Sequence, residues 1–229
     1  AERSAVSAAA AAVSAAVAAA VAAVSAATAA AAAPAAGLKD VSAEPPPWFS
    51  DKAATARWMV RSLQWAVLST TSTRSEGTTV GAPFGNPYSF ADVDGVPYFY
   101  ASSLDASMID LFGPGGRPNA TLSLSEAALL GPKTFWWRQK CAIGQPLGDP
   151  ENPPCARLVL TGTVVRPEAT SDEAKRAMAA LLSRHPSFAN YPKGHGFYVA
   201  KMQVSAVWEI DMFGGASVVS TADYFKAKP

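Results

Sequence analysis

Few side chains in this sequence have the types and spacing needed for chemistry. Cys141 and Cys155 flank a Gly- and Pro-rich excursion, Ala142 to Pro154, and the chain has no third Cys. Two readings compete, and the disulfide is the one expected. Both residues are free buried thiols in a reducing compartment, or they form a disulfide closing a segment too rich in Pro to pack by itself. Closing a loop of about 15 residues would stabilise the fold by roughly 3 kcal/mol on chain-entropy grounds. Asn119-Ala120-Thr121 is an N-glycosylation triplet. It follows the Gly113-Pro114-Gly115-Gly116 loop, where a glycan would be exposed. A disulfide and a glycan together lean toward an oxidising, secretory setting.

The remaining candidates read as structural. His185 precedes Pro186 at the end of a helical stretch, where capping against the helix dipole is the expected role. His195, between Gly194 and Gly196, has the type of a ligand or proton carrier, but a loop histidine without a partner motif is the plainer reading. Asp211 lies in an apolar strand and reads as a hydrogen-bonded structural carboxylate rather than a general base. Gly113 to Gly116 is too Pro-bound to cradle a phosphate. No nucleophile elbow, Walker loop or HExxH motif occurs, and two Cys with two His exclude a zinc-finger scaffold. No metal site is expected.

Composition bounds the classes further. The chain has 229 residues and a formal net charge of +1, which argues against nucleic-acid binding, since that needs a basic patch. Its 49 % hydrophobic content is inflated by the N-terminal segment, which is uncharged from Ser4 to Leu38 and consists of Ala with scattered Val, Ser and Thr. This tail has three readings: a targeting remnant, a membrane anchor, which is disfavoured, and a low-complexity segment with no specific role. Glu44-Pro45-Pro46-Pro47 reads as a stiff spacer. Residues 1–47 are therefore taken as tail and linker, and 48–229 as one folded domain.

Within that domain, Ser50-Asp51 caps a helix whose apolar face carries Trp58, Met59 and Leu63. Strands are expected at Trp65–Thr73, Thr78–Phe84 and Tyr88–Val93. Asp94-Gly95 then turns the chain into a strand at Val96–Ala101, followed by a helix over Ser102–Leu111. Further strands are expected at Ala120–Ser125 and Leu158–Val165. Thr170 and Glu173 have capping-box spacing at the start of a helix that Pro186 stops. Phe197–Val204, Ala206–Met212 and Ser217–Ser220 complete the sheet. The pattern is mainly β with a few helices, α+β, and implies a closed β-barrel with helices at its ends. Regular β-α-β alternation is lacking, which excludes a Rossmann-type fold.

The run Gly95-Val96-Pro97-Tyr98-Phe99-Tyr100 followed by Ser102-Ser103-Leu104 resembles the CREG family of secreted glycoproteins. So do Trp65 to Thr73, Arg117 to Leu124, Cys155 with Leu160-Thr161-Gly162-Thr163, and Arg184-His185-Pro186. His195 with Phe197 to Met202, Trp208 to Gly215, and Asp223-Tyr224-Phe225 extend the likeness over about 48–229. The resemblance implies an FMN-binding split β-barrel of the pyridoxamine-phosphate-oxidase-like type, usually a homodimer. Oxidases of that type hold the FMN phosphate with an Arg-Lys pair after the strand corresponding to Val96–Ala101. Here Ala106 and Ser107 stand in those places, beside the acidic Asp105, and Thr79 to Phe84 carries no Arg or Lys. A phosphate dianion would lack its charge-assisted donors.

Three functional classes follow. The first is a secreted or endolysosomal CREG-like glycoprotein acting through contacts with an unidentified protein partner or receptor, without catalysis or a bound cofactor. The second is an FMN-dependent oxidoreductase drawing its phosphate donors from Arg74 or Arg117. The third is an organelle-targeted relative, plastid-type included, with the tail as its signal. Ser102, Ser103 and Ser107 are the residues placed for any flavin contact.

Overall fold

The computed structural model describes residues 46–47, 50–129, 136–146 and 148–229, and only the backbone of 136–138. The Ala-rich tail, its expected targeting role and the proposed boundary at Trp48 lie outside the described residues. Helix α1 (Lys52–Ser62) starts where Asp51 accepts the Ala54 amide, as its sequence expects. Its inner face sends Trp58, Met59 and Val60 into the core. Strand β1 (Trp65–Thr71) alternates buried and half-exposed positions after Trp65, the mark of a strand with one covered face.

Strand β2 begins at Pro83 rather than Thr78 and runs to Ser89. Its two prolines are tolerated because β2 pairs with β1 alone, so the missing N–H groups face no second strand. At Phe90, fully buried, the chain changes partners, and β3 (Ala91–Val93) pairs with β4 (Val96–Ser102) across the Asp94-Gly95 turn. Both turn residues have positive φ, 54° and 90°, which suits a tight hairpin. The order β2-β1-β5-β6-β7-β4-β3 therefore begins and ends on consecutive segments of one strand. The sheet curls into a split barrel, closed through Phe90.

Helix α2 (Ala106–Phe112) starts four residues later than expected, because Ser102 still belongs to β4 and Asp105 supplies the cap. Strands β5 (Asn119–Ser125) and β6 (Arg157–Val165) pair along their lengths. Helix α3 (Asp172–Arg184) is capped by Ser171, not Thr170. Glu173 does not reach back to close a capping box; it receives the Tyr98 hydroxyl at 2.6 Å and pairs with Lys201. The two strands expected beyond Gly196 are one, β7 (Phe197–Ile210). Ser205 is an extra residue opposite the Thr161/Gly162 step, so the polar break marks a bulge rather than a strand end. Gly162 permits it: a Cβ there would sit 2.2 Å from the Gln203 carbonyl oxygen.

Strand β8 (Ser217–Val219) pairs with β7, and a further helix, α4 (Thr221–Lys226), ends the chain. Tyr224 of α4 is fully buried and donates to the Gly95 carbonyl at 2.7 Å, locking the last helix onto the hairpin. Phe99, Leu122, Leu158, Leu160 and Met202 fill the barrel interior.

Candidate functional site

Where β4 ends and α2 begins, an open cleft of about 410 Å³ lies against Pro87, Tyr88 and Ser89 of β2. Tyr100 is its centre. Its ring lies 4.9 Å from Phe197, 5.5 Å from Phe188 and 6.1 Å from Tyr191. Tyr100 and Phe197 come from adjacent strands, while Phe188 and Tyr191 come from the 3-10 turn after α3. The aromatic residues that the sequence distributes over strands are thus partly gathered into one wall of this cleft.

The polar groups here are mostly occupied. Ser102 donates to the His195 carbonyl at 2.6 Å and accepts the Leu104 amide at 3.1 Å, tying the β4 end to the turn that carries His195. His195 stands exposed on the rim. Asp105 is the charged lining group, and its Oδ1 accepts the amides of Ser107 at 2.8 Å and Met108 at 3.2 Å. Burial, helped by Asp105, pushes the Tyr88 hydroxyl pKa far up, so this phenol stays neutral. Among the described residues, no Lys or Arg lines the cleft.

The three serines expected to touch a flavin are not equivalent. Ser102 lines the cleft, Ser103 is exposed beside it, and Ser107 is fully buried with a hydroxyl that finds no partner among the described residues. The alternative donors lie elsewhere. Arg74 is held by Asp110, and Arg117 is exposed beyond the far end of α2. Sequence reasoning missed Tyr100, Phe188 and Tyr191 as a cluster, because their union depends on the turn after α3 folding back over β4.

Of the other candidates, His185 ends α3 and places Nε2 2.9 Å from the Phe90 carbonyl, so that nitrogen carries the proton. Burial lowers its pKa, which makes it a neutral hydrogen-bonded residue rather than a cationic cap. Asp211 pairs with Lys52 of α1, as a structural carboxylate should. Cys141 and Cys155 form a disulfide with Cα atoms 5.0 Å apart. Asn119 is exposed at the start of β5, and its Oδ1 accepts from the Thr163 hydroxyl at 3.1 Å.

Comparison with known proteins agrees with this architecture. The profile of the family described as "CREG, beta-barrel" matches residues 47–226. Protein CREG1 of Gallus gallus is 33 % identical over 192 residues, 81 % of this chain and 90 % of the relative. Protein CREG2 of Homo sapiens is 33 % identical over 193 residues, 82 % of this chain but 60 % of that longer relative. Among solved structures, a heme binding protein from Mycobacterium smegmatis superposes with a TM-score of 0.57 at 20 % identity, over 78 % of this chain and 61 % of that one. The protein Atu2129 of Agrobacterium tumefaciens, of unknown function, gives 0.54 at 18 %, over 79 % and 64 %. Both structural likenesses are of fold alone. With a family match over most of its length and a curated relative at one-third identity, this chain belongs to the CREG β-barrel family.

Proposed function

We propose that this protein is a secreted or endolysosomal glycoprotein that acts through protein contacts, as a homodimer and without catalysis. The charge of the cleft carries the reading. A flavin phosphate at the start of α2 would meet the Asp105 carboxylate, which already takes the Ser107 and Met108 amides that an anion would need. No Lys or Arg among the described residues lines the cleft, and a charge-assisted bond is about twice as strong as a neutral one. These residues do not fit an FMN phosphate.

The outer face of the barrel supports the dimer. Val67, Ser123, Val159, Trp208 and Val218 lie in one cross-strand row over β1, β5, β6, β7 and β8. Pro87 of β2 extends the row to the cleft. An open groove of about 380 Å³ on this face is lined by Trp65, Val67, Val159 and Trp208. An apolar face of this kind suits a self-complementary contact. The exposed Asn119 and the disulfide support an oxidising, glycosylating compartment. No helix among the described residues is long and apolar enough to cross a membrane.

Titrating FMN fluorescence with the purified protein tests the cofactor-free reading. The expected result is no saturable quenching at micromolar protein. Saturable quenching would place the oxidoreductase of the pyridoxamine-phosphate-oxidase-like class first.

A further inference from the structure

A second cavity lies away from the aromatic cleft, against the disulfide. It measures about 460 Å³, in the range of small-molecule sites, and is lined by Glu126, Cys141, Ile143 and Pro150 among others. The two sulfurs differ in access. Cys141 is half-buried and lines the cavity, whereas Cys155 is fully buried. Glu126, 2 % exposed, places a carboxylate oxygen within 4.8 Å of both sulfurs. Its Oε2 accepts the Ala156 amide at 3.0 Å and pairs with Lys140 at 3.0 Å. A disulfide that only staples a loop needs neither an approach to one sulfur nor a buried carboxylate beside both.

We infer that Cys141 and Cys155 form a thiol–disulfide exchange site for low-molecular-weight thiols, with Cys141 the attacked sulfur, Cys155 the resolving one and Glu126 the proton carrier. An incoming thiolate bonds to the Cys141 Sγ from the cavity. The Cys141–Cys155 bond breaks, its electron pair leaves on the Cys155 Sγ, and that sulfur takes a proton. A second thiolate attacks the small-molecule sulfur of the mixed disulfide and releases Cys141 as a thiolate, which is then protonated. Two small thiols are oxidised to their disulfide and the protein disulfide is reduced to a dithiol. In the reverse direction Cys141 opens the small disulfide. Cys155 then loses its proton to Glu126, attacks the Cys141 Sγ and expels the second small thiol.

The first test titrates the intact protein with reduced and oxidised glutathione, counting thiols by alkylation and mass while circular dichroism follows the fold. Reversible reduction at millimolar glutathione with the fold retained is expected. A disulfide that opens only in denaturant, or only together with loss of fold, overturns the site. The second test compares single-cysteine variants. Cys155→Ser should form the mixed disulfide on Cys141 with glutathione disulfide at least about tenfold faster than Cys141→Ser does on Cys155. Equal rates overturn the assignment of the two sulfurs. The third follows single-turnover oxidation of the dithiol protein. Glu126→Gln should slow the resolving step about tenfold or more, so that the Cys141 mixed disulfide accumulates, with the first step nearly unchanged. No accumulation, or an unaltered pH profile of the resolving step, overturns the role of Glu126.

Discussion

Arg74 and Asp110 form a two-pronged ion pair, with Nε 3.0 Å from Oδ1 and Nη2 3.1 Å from Oδ2. Asp110 has no exposure and also accepts the Thr70 hydroxyl and the Thr73 amide. The guanidinium lies over the Phe84 ring at 4.6 Å. The pair pins the loop after β1 to α2, and it withdraws from anion binding the arginine nearest in sequence to β2.

Removing one partner should be costly. Arg74→Met leaves a buried carboxylate with neutral donors only, and the expected loss is about 3 kcal/mol of unfolding free energy, read by urea denaturation. Burial pushes the Asp110 carboxyl up, but Arg74, the Thr73 amide and the Thr70 hydroxyl outweigh it and hold it below the usual range. A depressed carboxylate stabilises the fold above its unfolded pKa of about 3.9, and that contribution disappears as pH falls through the folded value. Wild type should therefore lose stability at acid pH more steeply than Arg74→Met.

Glu209 behaves in the opposite sense. It is fully buried on β7, and burial, followed by the adjacent Asp211, pushes its carboxyl up to about 8. Its contribution is present in full below the unfolded value of about 4.3 and is lost as pH rises toward the folded one. Melting temperature should fall between mildly acidic and mildly alkaline pH, and Glu209→Gln should flatten that slope. An equal slope in the variant would refute the assignment.

The outer sheet face predicts its own disruption. Val159→Glu or Trp208→Glu places a charge in the apolar row between Val67 and Val218. Light scattering should give a dimer mass for wild type at micromolar concentration and a monomer for either variant, with the circular dichroism spectrum unchanged. A wild-type monomer would remove the dimer.

Asn119 should carry a glycan when the chain passes through a eukaryotic secretory pathway. Asn119→Gln should lose one glycan's mass and become insensitive to a peptide N-glycosidase. Because Asn119 is exposed and its side chain accepts one hydrogen bond among the described residues, from Thr163 at 3.1 Å, stability should change by less than about 0.5 kcal/mol.

Local chemistry made much of this molecule readable in advance. Asp51 is a cap because a short acid before an apolar helical pattern satisfies the first free amides. Asp94-Gly95 is a hairpin because both positions need positive φ, and Pro186 ends α3 because the ring forbids continuation. The C-terminal helix is also within reach: Ser220 caps it, its hydroxyl accepting the Asp223 amide and donating to the Asp223 carboxylate, but the expected strand Ser217–Ser220 takes the cap residue and no helix is expected after it.

Other features depend on partners far along the chain, which no local pattern encodes. Phe90 divides one extended run into β2 and β3 because its two halves find different neighbours, β1 and β4. Ser171 rather than Thr170 caps α3 because Glu173 is drawn away to Tyr98 and Lys201. Ser107 is removed from the cleft because α2 turns that side of its first turn inward, and burial is a property of packing. The aromatic wall at Tyr100 forms only when the turn after α3 folds over β4. Residue type and spacing are local quantities and were legible; which groups share a cavity, a proton or a charge is set by contacts between segments tens of residues apart.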